Sequence, residues 1–236
     1  MNKAIKAILA LSVVVLAIYP GYVFYFGSTA NVQNVNAPKS VPAADVSPQQ
    51  ADKALSGNGA ASVVPENETA SMLTVPLSLA LERVTKKPFG IKVSPENSPV
   101  SPEKFSGYHT GVDFETFPQE ADVDVPVSAV CSGILVEKRT VSGYGGVAIQ
   151  KCSIDNSEAM VLYGHLKLSS IEKPAGGEMS AGEKIGMLGK GYSAETGGER
   201  KHLHLGIHKG SKINYLGYVQ NENELADWID AMEYLK

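Results

Sequence analysis

Lys201-His-Leu-His-Leu-Gly-Ile-His208 alternates strictly, so as a strand it sets His202, His204 and His208 on one face and Leu203, Leu205 and Ile207 on the other. The leucine face asks for a core. On the histidine face, imidazoles two residues apart lie about 6.5–7 Å from each other at Cα, near enough to address one site. Further short runs at 123–130, 131–139, 146–152, 159–166 and 184–188 are rich in β-branched or aromatic residues and separated by glycine-containing turns. This pattern predicts an all-β domain. Two segments differ. Residues 76–84 put leucines on a helical face and on a strand face equally, so periodicity does not choose between them. Residues 223–235 place Leu225, Trp228, Ile229, Met232 and Leu235 at helical spacing after Asn223, predicting a C-terminal amphipathic helix docked on the sheet.

The chain has 236 residues, 43% of them hydrophobic and 19% charged, enough for one substantial domain with appendages. Part of the apolar content lies at the start. Lys3 and Lys6 precede twenty residues without a charge, 7–26, a length that just crosses the roughly 30 Å hydrocarbon layer as a helix. Residues 1–26 read as a signal peptide or an N-terminal membrane anchor, and both imply export to the cell envelope. The length favours an anchor, whereas Pro20-Gly21 would bend or stop such a helix. Residues 27–70 are rich in Ala, Ser, Asn, Pro and Val and hold no aromatic side chain, so they read as a disordered linker. The folded domain is assigned to 71–236. Residues 1–70 hold four lysines and four acids, so the net charge of −4 belongs to that domain, and no basic nucleic-acid surface is present in the sequence.

Cys131 and Cys152, the chain's two cysteines, flank a hairpin whose turn is Ser142-Gly-Tyr-Gly-Gly146. In an exported chain an even count invites a disulfide, with buried free thiols as the alternative.

Four of the five histidines fall in three short patterns: His109-Thr-Gly-Val-Asp113, Tyr163-Gly-His165-Leu166 and His202-Leu-His204. His-x-His alone is a weak signal, and a surface pair of histidines is its ordinary reading. His109 and Asp113 would stand about 13 Å apart on a fully extended chain, so both can serve one ion only if the segment turns, and Gly107 and Gly111 bracket such a turn. His165 follows an apolar strand and a glycine, which puts it at a strand end facing a groove. A catalytic zinc takes three protein ligands and keeps a fourth position for water, and this set fills such a shell with groups to spare. His208 has no partner motif and is expected on a rim or surface.

These patterns, in this order and in an all-β context, resemble the LytM/lysostaphin-type zinc metallopeptidases, which cleave peptide cross-links of bacterial peptidoglycan. The resemblance covers residues 86–220 and extends to Gly111-Val-Asp-Phe114, Val125-Pro-Val-Ser-Ala129, Gly143-Tyr-Gly145 and Gly182-Glu-Lys-Ile-Gly186. It implies a compact antiparallel β-sheet domain with an open groove. It also implies zinc held by His109, Asp113 and His204, with His165 and His202 as catalytic groups assisting a zinc-activated water. No His-Glu-x-x-His helix exists to supply a glutamate base. Histidine, with a pKa near 6.5, is suited to take a proton from the water and return it to the leaving amine. Peptidoglycan is the implied partner, with the membrane as a second if the N-terminus is uncleaved. The rival reading is a non-catalytic module binding cell wall or a partner protein. Two stretches depart from the family pattern: Gly197-Gly-Glu-Arg-Lys201 adds charge directly before His202, and 117–124 is unusually acidic.

Overall fold

The strand reading is met in the computed structural model, which describes residues 72–235. After one short helical turn, α1 (Ala80–Arg83), come β1 (Lys92–Val93), β2 (Gly107–His109), β3 (Gly111–Glu115), β4 (Pro126–Ser128), β5 (Gly133–Val141), β6 (Gly145–Ile154) and β7 (Ser157–Gly164). Then follow β8 (Leu166–Lys167), β9 (Glu178–Met179), β10 (Lys184–Leu188), β11 (His202–Lys209), β12 (Tyr218–Val219) and β13 (Trp228–Ile229). The main antiparallel sheet runs β13-β11-β7-β6-β5-β9, and β3 shares with β13 the edge of β11 opposite β7. Two small sheets, β1-β2-β12 and β4-β10-β8, complete the fold. The open question at 76–84 resolves into the single turn of α1, whose Arg83 is buried and grips Glu120 through Nη1 at 2.6 Å and Nη2 at 2.8 Å.

Alternation decides which side of the main sheet becomes core. Leu203, Leu205 and Ile207 of β11 point inward with Val112 and Phe114 of β3, Val161 and Tyr163 of β7 and Val127 and Ile185 of the β4-β10 sheet. Burying each large aliphatic side chain stabilises by roughly 1.5–3 kcal/mol. Within this core Gln150 and Tyr163 satisfy one another: the Tyr163 hydroxyl donates to Gln150 Oε1 (2.7 Å) and accepts from Val130 N (2.9 Å), and Gln150 Nε2 donates to the Cys131 carbonyl (2.8 Å). The opposite face carries a smaller apolar cluster, Tyr144, Val147, Ile149, Met160 and Leu162. His202 and His204 emerge on that side.

The C-terminal segment corrects the expectation of an amphipathic α-helix. Glu222–Asp227 and Ala231–Glu233 are 3₁₀ turns, and between them β13 is extended, pairing Trp228 with His208 and Ile229 with Ile207. The reason is the edge of β11: β3 ends its pairing at Gly206, which leaves backbone groups that the tail satisfies while Trp228 becomes buried against His208. Asp230 then accepts from Met232 N (2.9 Å) and starts a new turn. The residue preceding the first turn is Asn221 rather than Asn223, its N–H donating to Glu224 (2.9 Å).

Cys131 and Cys152 are joined in a disulfide with Cα atoms 6.2 Å apart, anchoring the entry of β5 to β6 where Gly133 faces Cys152. Replacing both cysteines with serine is expected to lower unfolding stability by about 3 kcal/mol, the loop-entropy cost for a closure of this size. Urea unfolding of the oxidised protein and the double variant measures it, and coincident midpoints would contradict it. No helix among the described residues is long and apolar enough to cross a membrane, and the expected N-terminal span and linker lie outside the described residues.

Candidate metal centre and groove

The turn required between His109 and Asp113 is a change of sheet. β2 pairs with β1 and β12, the chain breaks at Thr110, and β3 pairs with β11. Thr110 fixes the break by donating its N–H to Gly217 O (3.0 Å) and its hydroxyl to Leu216 O (2.6 Å). In register, Asp113 faces His204, and on the other side of β11 His204 faces Gly164. The glycines beside this row are packing requirements. A Cβ at Gly111 would lie 2.7 Å from the His204 ring, and one at Gly164 would lie 2.6 Å from the Tyr144 ring.

Three ligand atoms converge as a result. His109 Nε2 lies 3.0 Å from His204 Nδ1 and 3.2 Å from Asp113 Oδ1, and His204 Nδ1 lies 3.1 Å from the same oxygen. Among the described residues this trio is the cluster of His, Cys, Asp or Glu able to hold a metal ion. The donor set fits zinc, since tetrahedral ligands at about 2.0–2.1 Å stand about 3.3–3.4 Å apart, a few tenths of an ångström wider than these separations.

Backbone carbonyls set the tautomers. His109 Nδ1 lies 3.2 Å from Pro88 O, and since a carbonyl only accepts, Nδ1 carries the proton and Nε2 presents a lone pair to the cluster. His165 Nδ1 donates to Tyr144 O (2.9 Å) and Thr196 O (3.0 Å), and His202 Nδ1 donates to Arg200 O (2.9 Å). Each therefore keeps Nε2 for the groove. His204 is the reverse: Nδ1 faces the cluster and Nε2 meets the Tyr144 hydroxyl at 3.2 Å. The His165 and His202 rings stand 4.2 Å apart. His165 holds its place in a left-handed conformation, φ 64°, which costs a non-glycine residue backbone energy and separates β7 from β8.

Burial dominates the electrostatics. It opposes the charged Asp113 carboxylate, yet His202 and His109 outweigh it and hold this group well below the usual carboxylate range. Burial, reinforced by His202, pushes His165 well below its ordinary value, and burial brings His204 down to about 4 despite Asp113. Neutral imidazoles are the form that binds a metal and accepts a proton.

These groups sit in a groove of about 290 Å³, which Asp113, His165, His202 and His204 line together with Tyr144, Lys87, Phe105, Arg200 and Tyr218. All five residues singled out in the sequence are thus brought together, His109 as the fully buried member of the ligand cluster and the other four lining the groove. His208 is half-buried against Trp228, outside the groove lining. Sequence reasoning assigned no role to Arg200, Tyr144, Lys87 or Tyr218. Arg200 had a signal, the extra charge before His202, and Tyr144 stood in a quoted motif. Lys87, buried in an ion pair with Glu103 and donating to the Tyr218 hydroxyl at 2.9 Å, had none.

An antiparallel β domain whose groove gathers two histidines and an aspartate as candidate metal ligands, with two further imidazoles beside them, defines the class. A family model for peptidase family M23 matches residues 107–215. Similar solved structures include Helicobacter pylori Csd3 (24% identity over 64% of this chain and 36% of that one, TM-score 0.41) and LytU (26% over 63% and 80%, TM-score 0.42). A zinc containing peptidase from Vibrio cholerae is also similar (20% over 69% and 40%, TM-score 0.41). The chain thus spans about a third of the length of Csd3. No curated protein matches it.

Acidification should weaken the metal-free fold. Between pH 6.5, where an unfolded histidine titrates, and about 4, where His204 does, the unfolded chain binds a proton that the native state refuses, so stability falls as pH falls. At pH 5 the His204 contribution is about 2 kcal/mol, with His165 adding in the same direction and Asp113 joining only in stronger acid. Urea midpoints with a chelator at pH 7.5 and pH 5 measure this; equal midpoints would contradict it.

Proposed function

We propose that this chain is a zinc-dependent endopeptidase that hydrolyses peptide bonds in peptidoglycan stems or cross-bridges. The supporting observation is the convergence of His109 Nε2, Asp113 Oδ1 and His204 Nδ1 within 3.0–3.2 Å beside a groove that Asp113 and His204 line together with His165 and His202. In this reading His109, Asp113 and His204 hold the metal, and zinc bound there would lower the pKa of a water and polarise the scissile carbonyl. His165 offers Nε2 as proton acceptor, kept neutral by burial and oriented by two backbone carbonyls. His202 stands beside it with Nε2 also turned to the groove, 3.3 Å from Asp113 Oδ2, placed to share the proton and return it to the leaving amine. Tyr144 orients His204 through its hydroxyl.

Peptidoglycan as the substrate rests on the match to the family model together with the groove, whose lining residues Lys87 and Glu199 are neutralised by ion pairs with Glu103 and Lys104, as suits an extended peptide of low net charge. Work in the cell envelope, membrane-anchored facing outward or secreted, follows in this proposal from residues 1–26. In this proposal catalysis is preferred to a purely binding module because the five positions that the resemblance assigns to metal binding and catalysis are all filled.

Incubating the purified protein with peptidoglycan should release peptide fragments, identified by mass spectrometry, and a zinc chelator should abolish the release. Intact wall after treatment with fully zinc-loaded protein would overturn the proposal. His109→Ala is expected to lose bound zinc. His165→Ala should keep zinc and lose turnover by about 10²–10⁴-fold, the usual contribution of a positioned proton acceptor; retained hydrolysis in either variant would refute the assignment.

A further inference from the structure

The two oxygens of Asp113 face different neighbours. Oδ1 meets His109 Nε2 and His204 Nδ1, at 3.2 and 3.1 Å. Oδ2 accepts from Arg200 Nη2 at 2.9 Å and lies 3.3 Å from His202 Nε2. A carboxylate beside a divalent cation can bind through one oxygen or both, and the second mode would occupy coordination space that a water or substrate oxygen needs. Here a guanidinium already holds the second oxygen.

That guanidinium is itself anchored. Arg200 Nε donates to both Glu115 oxygens at 3.0 Å, and Nη2 donates to Glu115 Oε1 at 2.5 Å. Glu115 lies two residues beyond Asp113 on β3, hence on the same strand face, and directly opposite His202. The three side chains are nearly enclosed, 11% exposed for Arg200, 12% for Glu115 and 3% for Asp113, so the pairing escapes most solvent screening. The same residue also accepts from His202 Nδ1 through its carbonyl at 2.9 Å. A planar fork can span two carboxylates in this way, whereas a lysine ammonium on a flexible stem cannot reproduce it.

We propose that Arg200 is a positioning residue that occupies Asp113 Oδ2 and so restricts this ligand to one-oxygen coordination, with Glu115 as its anchor. The inference rests on the reading of His109, Asp113 and His204 as a zinc centre.

The test uses the full chain with cobalt(II) alone in place of zinc, because four-coordinate cobalt absorbs visible light far more strongly than five- or six-coordinate cobalt. Wild type should show the intense four-coordinate spectrum. Arg200→Met should lose about twofold or more of the absorption per bound cobalt as Asp113 closes with both oxygens. Arg200→Lys should not restore it, and Glu115→Gln, which leaves the guanidinium but weakens its anchor, should give an intermediate loss. A wild-type spectrum from Arg200→Met at full occupancy would overturn the proposal. Should that variant fail to fold, wild-type spectra from both Arg200→Lys and Glu115→Gln would overturn it equally. Failure of the metal-centre reading looks different: wild type would bind no cobalt, or His109→Ala would bind it with an unchanged spectrum.

Discussion

A carboxylate 2% exposed cannot stand alone inside a protein, because removing its charge from water costs far more than a single neutral hydrogen bond returns. Asp113 meets that constraint first through Arg200, which donates to Oδ2 at 2.9 Å, with His202 beside the same oxygen and His109 and His204 gathered around the other. Much of the architecture follows from assembling them. β3 must lie against β11 in the register that sets Asp113 opposite His204, and the chain must change sheets at Thr110 so that His109 can return to a residue four positions away. The core side of the same two strands, Val112, Phe114, Leu203, Leu205 and Ile207, holds that register, since a slip of one residue would turn every one of these side chains outward.

Placement alone would leave the imidazoles free to rotate or exchange tautomers. The backbone prevents this: carbonyls of Pro88, Tyr144, Thr196 and Arg200 take the Nδ1 protons of His109, His165 and His202. These acceptors belong to loops and turns rather than to the paired strands, so the ring orientations depend on segments outside the sheet. The left-handed backbone at His165 is the conformational cost of this arrangement. It is held by Gly189 N donating to His165 O at 2.8 Å and by the double hydrogen bond from the ring.

The sequence was most informative where one residue type has one physical outlet. Alternating leucines in β11 can only face a core, and β10 runs over the expected residues 184–188. Histidines with aspartate at spacings that demand a turn were similarly readable. It was least informative where partners are distant. The tail showed helical spacing at Leu225, Trp228 and Ile229, but periodicity cannot register that β11 has an edge open beyond Gly206, and pairing with that edge won over local helix formation. Lys87 gave no signal because its burial depends on Glu103 and Tyr218, the latter 131 residues away.

The two departures from the family pattern, separate in sequence, explain one another in space. Lys201 donates from Nζ to the carbonyls of Glu120 (2.8 Å) and Val123 (2.5 Å), and so pins the acidic turn. Arg83 holds the same turn from the other side through Glu120, with its guanidinium 4.1 Å from the Phe117 ring centre. Arg200 pairs with Glu115, where β3 leads into that turn. The charges before His202 thus hold the backbone of the 117–124 turn and Glu115 at its entry, tying together the ends of β3 and β11. Because this link closes on Glu115, two residues from a candidate ligand, removing Glu115 would leave Asp113 as the remaining carboxylate partner of Arg200 beside the candidate metal centre.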